Sequence, residues 1–185
     1  GLQIHDIQGE SHESPLAGST VENIEGVVTG TYELNGGQYF YLQTPDAKAD
    51  NNPKTSQGII VYAGKDPLKV KVGNLVKVTG KVSEYHIDGS SSKTATDLTV
   101  TQINMTSGSV KVVEESVALP TPIKITDANI NKKVIDNDSF AKFDPSEDAI
   151  DFWESLEGMR VETGTIRVTA PPAYGEFYGV LDTVK

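Results

Sequence analysis

Over its first 105 positions the chain alternates short runs of Val, Ile, Thr, Tyr and Phe with turns built from Gly, Asn, Asp and Pro. Runs of that kind, spaced so closely, leave a sandwich or a barrel as the architectures that can bury them. Val21 to Tyr32 reads as a first strand with Gly26 and Gly30 inside it, and glycines inside a strand mark bulges or bends where a sheet curls. Asn35-Gly36-Gly37 is a turn signal joining that strand to Gln38–Thr44 as a hairpin. Gly58–Tyr62 is a third strand, Leu75–Tyr85 a long alternating fourth, and Leu98–Met105 a fifth, with Asp88–Lys93 as the loop between the last two.

Five strands with glycines in the first and fourth predict a small closed barrel of the OB type, its first three strands forming a meander. The connection from Ala63 to Asn74 has no room for a helix, although many OB barrels carry one there. After residue 105 the character changes. Ser107-Gly108-Ser109 and Leu119-Pro120-Thr121-Pro122 read as linker or edge-covering chain, because paired prolines cannot sit in a central strand. Asp144-Pro145-Ser146-Glu147 carries the signature of a helix start, with Asp144 as N-cap and Pro145 at the first helical position. Ala149, Ile150, Trp153 and Leu156 then recur at helical spacing as one apolar face, and Gly158 ends it. Met159–Val184 reads as two more strands around Pro171-Pro172.

A weak internal repeat links the two parts. Glu25-Gly26, Thr29-Gly30-Thr31 and Tyr39-Phe40-Tyr41-Leu42 recur as Glu157-Gly158, Thr163-Gly164-Thr165 and Phe177-Tyr178-Gly179-Val180. The expected organisation is therefore mainly β: a lead-in over 1–20, the barrel over 21–105, a linker over 106–143, and a short helix with a partial second OB-like unit over 144–185.

Composition narrows the functions. Across 185 residues the formal charge is −10 and there is no cysteine, which excludes disulfide scaffolds, thiolate metal sites and cysteine nucleophiles. No run approaches the ~20 apolar residues of a membrane span, so no membrane insertion is expected. Residues 1–50 carry eight acids against Lys48, while residues 51–115 carry eight lysines against six acids. Only that middle third could meet phosphates without opposing its own field. The start at Gly1-Leu2, lacking Met and any leader-like pattern, suggests a fragment whose signal peptide has been removed.

The run Gln38-Tyr39-Phe40-Tyr41-Leu42-Gln43 is the most suggestive. At period two, Phe40 and Leu42 face the core while Tyr39 and Tyr41 stand on the outer face of the second strand. Bases stack on aromatic rings on that face of OB barrels. Tyr62 on the third strand would extend the surface, with Lys54, Lys65, Lys77 and Lys81 as phosphate partners for single-stranded DNA or RNA. The alternative is that the tyrosines cover the sheet against the C-terminal segment. The loop from Asp46 to Asn52 gathers oxygen donors, with Asp46, Asp50 and Asn52 as candidate calcium ligands, although the spacing is not that of an EF-hand and a solvated turn is the competing reading. The acids Asp144, Glu147, Asp148, Asp151 and Glu154 could suggest a hydrolytic pair, but their place in the first two turns of a helix is better explained by the helix dipole. His5, His12 and His86 have no metal-binding or nucleophile-activating spacing, so no catalytic constellation is present and the chain is not expected to be an enzyme by itself.

Several motifs together resemble a known family. Ile4-His5-Asp6-Ile7-Gln8-Gly9, Ser14-Pro15-Leu16-Ala17-Gly18 and Glu25-Gly26-Val27-Val28-Thr29-Gly30 look like the opening of the OB-fold module of large secreted bacterial nucleases of the YhcR type. The likeness continues through Phe40-Tyr41-Leu42-Gln43, the segment from Thr55 to Tyr62, and the segment from Val72 to Tyr85. It also reaches Phe143-Asp144-Pro145, Phe152 to Arg160, and Tyr174-Gly175-Glu176-Phe177. Relatives have an acid- and glycine-rich loop where this chain has Asp46-Ala47-Lys48-Ala49-Asp50, and none of the family's catalytic motifs occurs here. The resemblance implies an extracellular or cell-surface bacterial protein. In it, the module would position nucleic acid for a catalytic domain of the endonuclease/exonuclease/phosphatase or nucleotidase class on the same polypeptide. A structural spacer, or a carbohydrate-binding module using the same tyrosines, are the alternatives.

Overall fold

Val27 is where the barrel closes. In the computed structural model, which describes all residues except 87–97, 127, 131–133, 172–178 and 182–185, the first strand β1 (Thr20–Leu34) changes partner at this residue. Its second half pairs antiparallel with β2 (Gly37–Gln43), and its first half with β4 (Leu75–Tyr85). A fifteen-residue strand can serve both neighbours only if it bends, and the register slips between Val21 and Ile24 and again between Val28 and Gly30. β3 (Gly58–Tyr62) pairs with β2, and β5 (Val100–Glu114) inserts between β3 and β4, running parallel to β3. The resulting order β1-β2-β3-β5-β4 is a closed five-stranded barrel of the OB type.

Local chemistry sets these elements. Asn35 and Gly36 have φ of 50° and 75°, and two consecutive positive values make the two-residue turn whose twist matches a tight hairpin. Alternation puts Phe40, Leu42, Ile59, Val61, Val76, Val78, Val82 and Ile103 inside with no exposure, each burial contributing roughly 1.5–3 kcal/mol. Ile4 and Ile7 of the short helix α1 (Ile4–Gln8) join the same core, so the lead-in is part of the barrel's packing. The Ala63–Asn74 connection contains no helix, as expected.

Several boundaries differ from the sequence reading. The fifth strand does not stop at Met105. It runs to Glu114, and Ser109, Val110, Lys111 and Val112 pair with Thr79, Val78, Lys77 and Val76. Residues 106–114, expected as linker, are thus barrel, and Ile123–Ile125 (β6) is a strand paired in parallel with β7 (Val161–Thr163). The helix α2 spans Ala149–Glu154 and is capped by Asp148, whose side chain accepts from the Asp151 amide. Asp144 instead accepts the Glu147 amide in a preceding turn. The buried face of α2 is Asp151 with the flanking Asp148 and Ser155, and Trp153, expected to be buried, is 48% exposed. β8 (Ile166–Val168) and β9 (Gly179–Leu181) form a further antiparallel pair. Described residues after β5 form two two-stranded sheets. The loop expected at 88–93, half of the third repeat match (Phe177 and Tyr178) and the turn residue Pro172 lie outside the described residues.

The C-terminal segment seats on one end of the barrel. The Ser56 hydroxyl donates to the Glu157 carbonyl at 2.5 Å, the Thr101 amide to Glu157 Oε1 at 2.8 Å, and the Arg160 amide to Gln43 Oε1 at 2.7 Å. Gly58 and Gly158 bring two backbones into direct contact: a Cβ on Gly58 would overlap the Gly158 carbonyl and lie 2.6 Å from the Met159 nitrogen. Gly158 itself has φ of 71°, a conformation that glycine adopts at no steric cost.

Candidate nucleic-acid interface

Register across the first three strands places three tyrosines in one row. Tyr32 of β1 sits opposite Tyr39 of β2, and Tyr39 sits opposite Tyr62 of β3. The Tyr32 and Tyr39 rings stack with centroids 4.9 Å apart and planes 6° from parallel. Tyr62 lies 5.0 Å from Tyr39 at 38°, and Tyr41 lies 5.5 Å from Tyr32 at 34°. Rings this close and nearly parallel cannot be coplanar, so Tyr32 and Tyr39 stack plane against plane. The tilted Tyr62 opens a wedge at the β3 end of the row. All four side chains are partly exposed.

Packing together changes their acidity. Burial, reinforced by the neighbouring Tyr41 and Tyr39 and by a hydrogen bond with Tyr41, holds the Tyr32 phenol well above the ordinary tyrosine range. Burial also raises Tyr39, and raises Tyr41 against the opposing effect of its bond with Tyr32. Tyr32, Tyr39 and Tyr41 therefore stay neutral at physiological pH and keep their hydroxyl protons.

Tyr39, Tyr41 and Tyr62 are thus brought together as the sequence led one to expect, with Tyr32 added. The missed residue had a signal: continuing the outward period of β1 from Gly30 reaches Tyr32, and the Asn35-Gly36 turn fixes it opposite Tyr39. The lysines divide. Lys81 faces Asn104, which faces Tyr62, so it lies two strands from the row, and it is exposed. Lys65 is exposed just past β3, beyond Gly64, whose carbonyl accepts the Gln38 amide beside Tyr39. Lys77 is elsewhere, set between Glu25 of β1 and Lys111 of β5. Lys54 lies in the Pro45–Gln57 loop at the opposite end of β3. One acid, Glu33, borders the row and accepts from the Gln38 amide group at 2.9 Å.

The described part of the C-terminal segment covers Gln43, not the tyrosines. Gln43 faces the same side as Tyr39 and Tyr41 but is 2% exposed under Arg160. The loop acids are likewise spoken for. Asp46 accepts from the Thr121 amide and hydroxyl, and Asp50 from Thr55, Gln57 and the Asn52 amide. Asn52 accepts the Lys54 amide and donates to Glu10. These groups pin the loop and the C-terminal segment to one another around a cavity of about 360 Å³, and their oxygens aim at different donors rather than at one point.

A family model described as a domain of unknown function (DUF8508) matches residues 112–185. The match begins in the last residues of β5, so it takes in the segment that follows the barrel and leaves out the tyrosine row. No curated protein matches the chain. The family description carries no activity, and no helix among the described residues is long and apolar enough to cross a membrane.

Proposed function

We propose that this chain is a non-catalytic binding module whose tyrosine row holds single-stranded DNA or RNA. The observation that carries the reading is the contiguous Tyr32–Tyr39–Tyr62 row, with Tyr41, on the β1–β2–β3 face of a five-stranded barrel. That face is where barrels of this type bind oligonucleotides and oligosaccharides. A base stacks on an accessible ring of the row, and each stack contributes roughly 1–3 kcal/mol. Lys81 and Lys65 are placed to meet the backbone. The resemblance to modules of secreted bacterial nucleases supports the same role beside a catalytic domain in an extracellular protein.

Two lysines imply a shallow salt dependence. With two phosphates neutralised, log K falls against log salt with a slope of about −1.4 for a single strand. Fluorescence anisotropy of a labelled oligonucleotide tests this in the presence of the wild-type chain, Tyr39→Ala and Lys81→Ala. Tyr39→Ala is expected to weaken binding at least about fivefold, from the lower end of the stacking range. Absence of binding at low salt, or full binding by Tyr39→Ala, would leave the row without this role. Binding of an oligosaccharide instead would give the same face to sugar rings.

A further inference from the structure

Three carboxylates meet where α2 begins. Oxygen atoms of Asp144, Asp148 and Asp151 lie within 4.8 Å of one another, and Asp148 and Asp151 are 1% and 2% exposed. Favourable placement at a helix start explains only part of this arrangement. Asp148 Oδ1 caps the helix by accepting the Asp151 amide at 2.9 Å. Asp151 accepts the Asp144 amide on Oδ2 at 2.7 Å and meets His12 Nε2 through Oδ1 at 2.7 Å. Two of the other oxygens, Asp148 Oδ2 and Asp144 Oδ1, are buried and receive no hydrogen bond among the described residues. An undonated oxygen on a carboxylate only 1% exposed, beside a second, partly buried carboxylate, is offset by positive charge held between them, as a cation or as a shared proton.

We propose that Asp144, Asp148 and Asp151 form a calcium site. The donors are all carboxylate oxygens, the ligand type of hard cations rather than of soft transition metals. Calcium binds oxygens at about 2.3–2.6 Å, so two of its ligands stand no more than about 5 Å apart, a condition that oxygens all within 4.8 Å of one another satisfy. Magnesium demands near-ideal octahedral geometry and gives up its waters reluctantly, so it is less suited to a site built from protein carboxylates. The site also has a place in the architecture. His12 belongs to the lead-in, lies edge-on to Phe140 and Phe143, and bonds Asp151. An ion that fixes Asp151 therefore ties the C-terminal segment to the residues that precede the barrel. This inference stands apart from the tyrosine row.

The test is calorimetric titration of calcium chloride into the chelator-treated chain at pH 7.5, with a parallel magnesium titration and thermal unfolding with and without calcium. The expected result is one calcium per chain, a higher unfolding temperature with calcium, and much weaker binding of magnesium. Asp148→Asn keeps the capping oxygen, so it is expected to fold normally by circular dichroism while binding calcium at least tenfold more weakly. Asp144→Asn is expected to do the same. Glu114→Gln, an exposed acid on β5, is expected to bind like the wild type. No calcium binding up to 10 mM, equal binding of magnesium, or unchanged binding in both aspartate variants would overturn the assignment.

Discussion

The contact between Gly58 and Gly158 makes Gly58→Ala a sharp probe of how the C-terminal segment is held. The substituted residue suits β3 itself, since strand backbone accepts alanine, so the barrel has no reason to unfold. The new methyl would overlap the Gly158 carbonyl and approach the Met159 nitrogen to 2.6 Å, where an ordinary contact needs more than 3.4 Å. Backbone cannot swing aside as a side-chain tip can, so residues 157–160 must shift by about 1 Å. The hydrogen bonds from Ser56, Thr101 and the Arg160 amide all cross this junction. At roughly 1 kcal/mol each, their loss totals about 3 kcal/mol. For a chain of this size that corresponds to a fall in unfolding temperature of about 6–12 °C if the molecule melts as one unit. Limited proteolysis would show cleavage after β5 appearing earlier than in the wild type. An unfolding temperature within 2 °C of the wild type, together with an unchanged digestion pattern, would refute the view that this backbone contact seats the segment.

Acidity should govern the same junction. Burial, then the neighbouring Glu157, Asp151 and Glu84, raise Glu154 to about 8. Burial raises Glu157 to about 7 despite bonds from Thr101 and Gln8. Both carboxyls hold protons in the folded chain that the unfolded chain has released. Their contribution is therefore fully present below about pH 4.5 and is lost as pH rises through 7 to 8. Thermal melts are expected to show higher stability at pH 5.5 than at pH 8.5, by on the order of 1–3 kcal/mol, and Glu154→Gln should flatten that difference. At alkaline pH, ultraviolet titration should find Tyr32 ionising above the ordinary tyrosine range, and Tyr41→Phe should bring it forward. In the core, Phe40→Ala should cost about 3–5 kcal/mol by leaving a cavity at a residue with no exposure, measured by denaturant unfolding.

Much of the barrel was legible because its strands obey local rules. Gly58–Tyr62 and Leu75–Tyr85 were read with the bounds they have, and Asn35-Gly36 fixed the hairpin that creates the tyrosine row. β5 was cut short for a physical reason. Ser107-Gly108-Ser109 has turn composition, yet a side chain at Gly108 would collide with the Thr79 carbonyl, so the glycine is there to let β5 cross close over β4. The helix start failed differently. Asp144 and Asp148 carry similar local signatures, and the choice between them is made by tertiary contacts, since the Ala149 and Ile150 amides donate to the Val134 and Ile135 carbonyls. Trp153 likewise followed the helical period, but Asp148, Asp151 and Ser155 occupy the buried face. Lys77 was unplaceable from sequence because its neighbours depend on which strands flank β4.

The placement of β5 between β3 and β4 also dictates an order of assembly. β1, β2 and β3 can pair as soon as they are made, but the outer edge of β3 has no partner until β5 has been synthesised. That edge is Gly-Ile-Ile-Val-Tyr, an apolar strand with unpaired amides and carbonyls, and such edges recruit other chains. Nascent or truncated chains ending near Met105 would cover β3 but still leave Leu75 to Thr79 without the strand they pair with at 109–114. Soluble expression of the isolated barrel should therefore improve abruptly when its end is moved from residue 105 to residue 114.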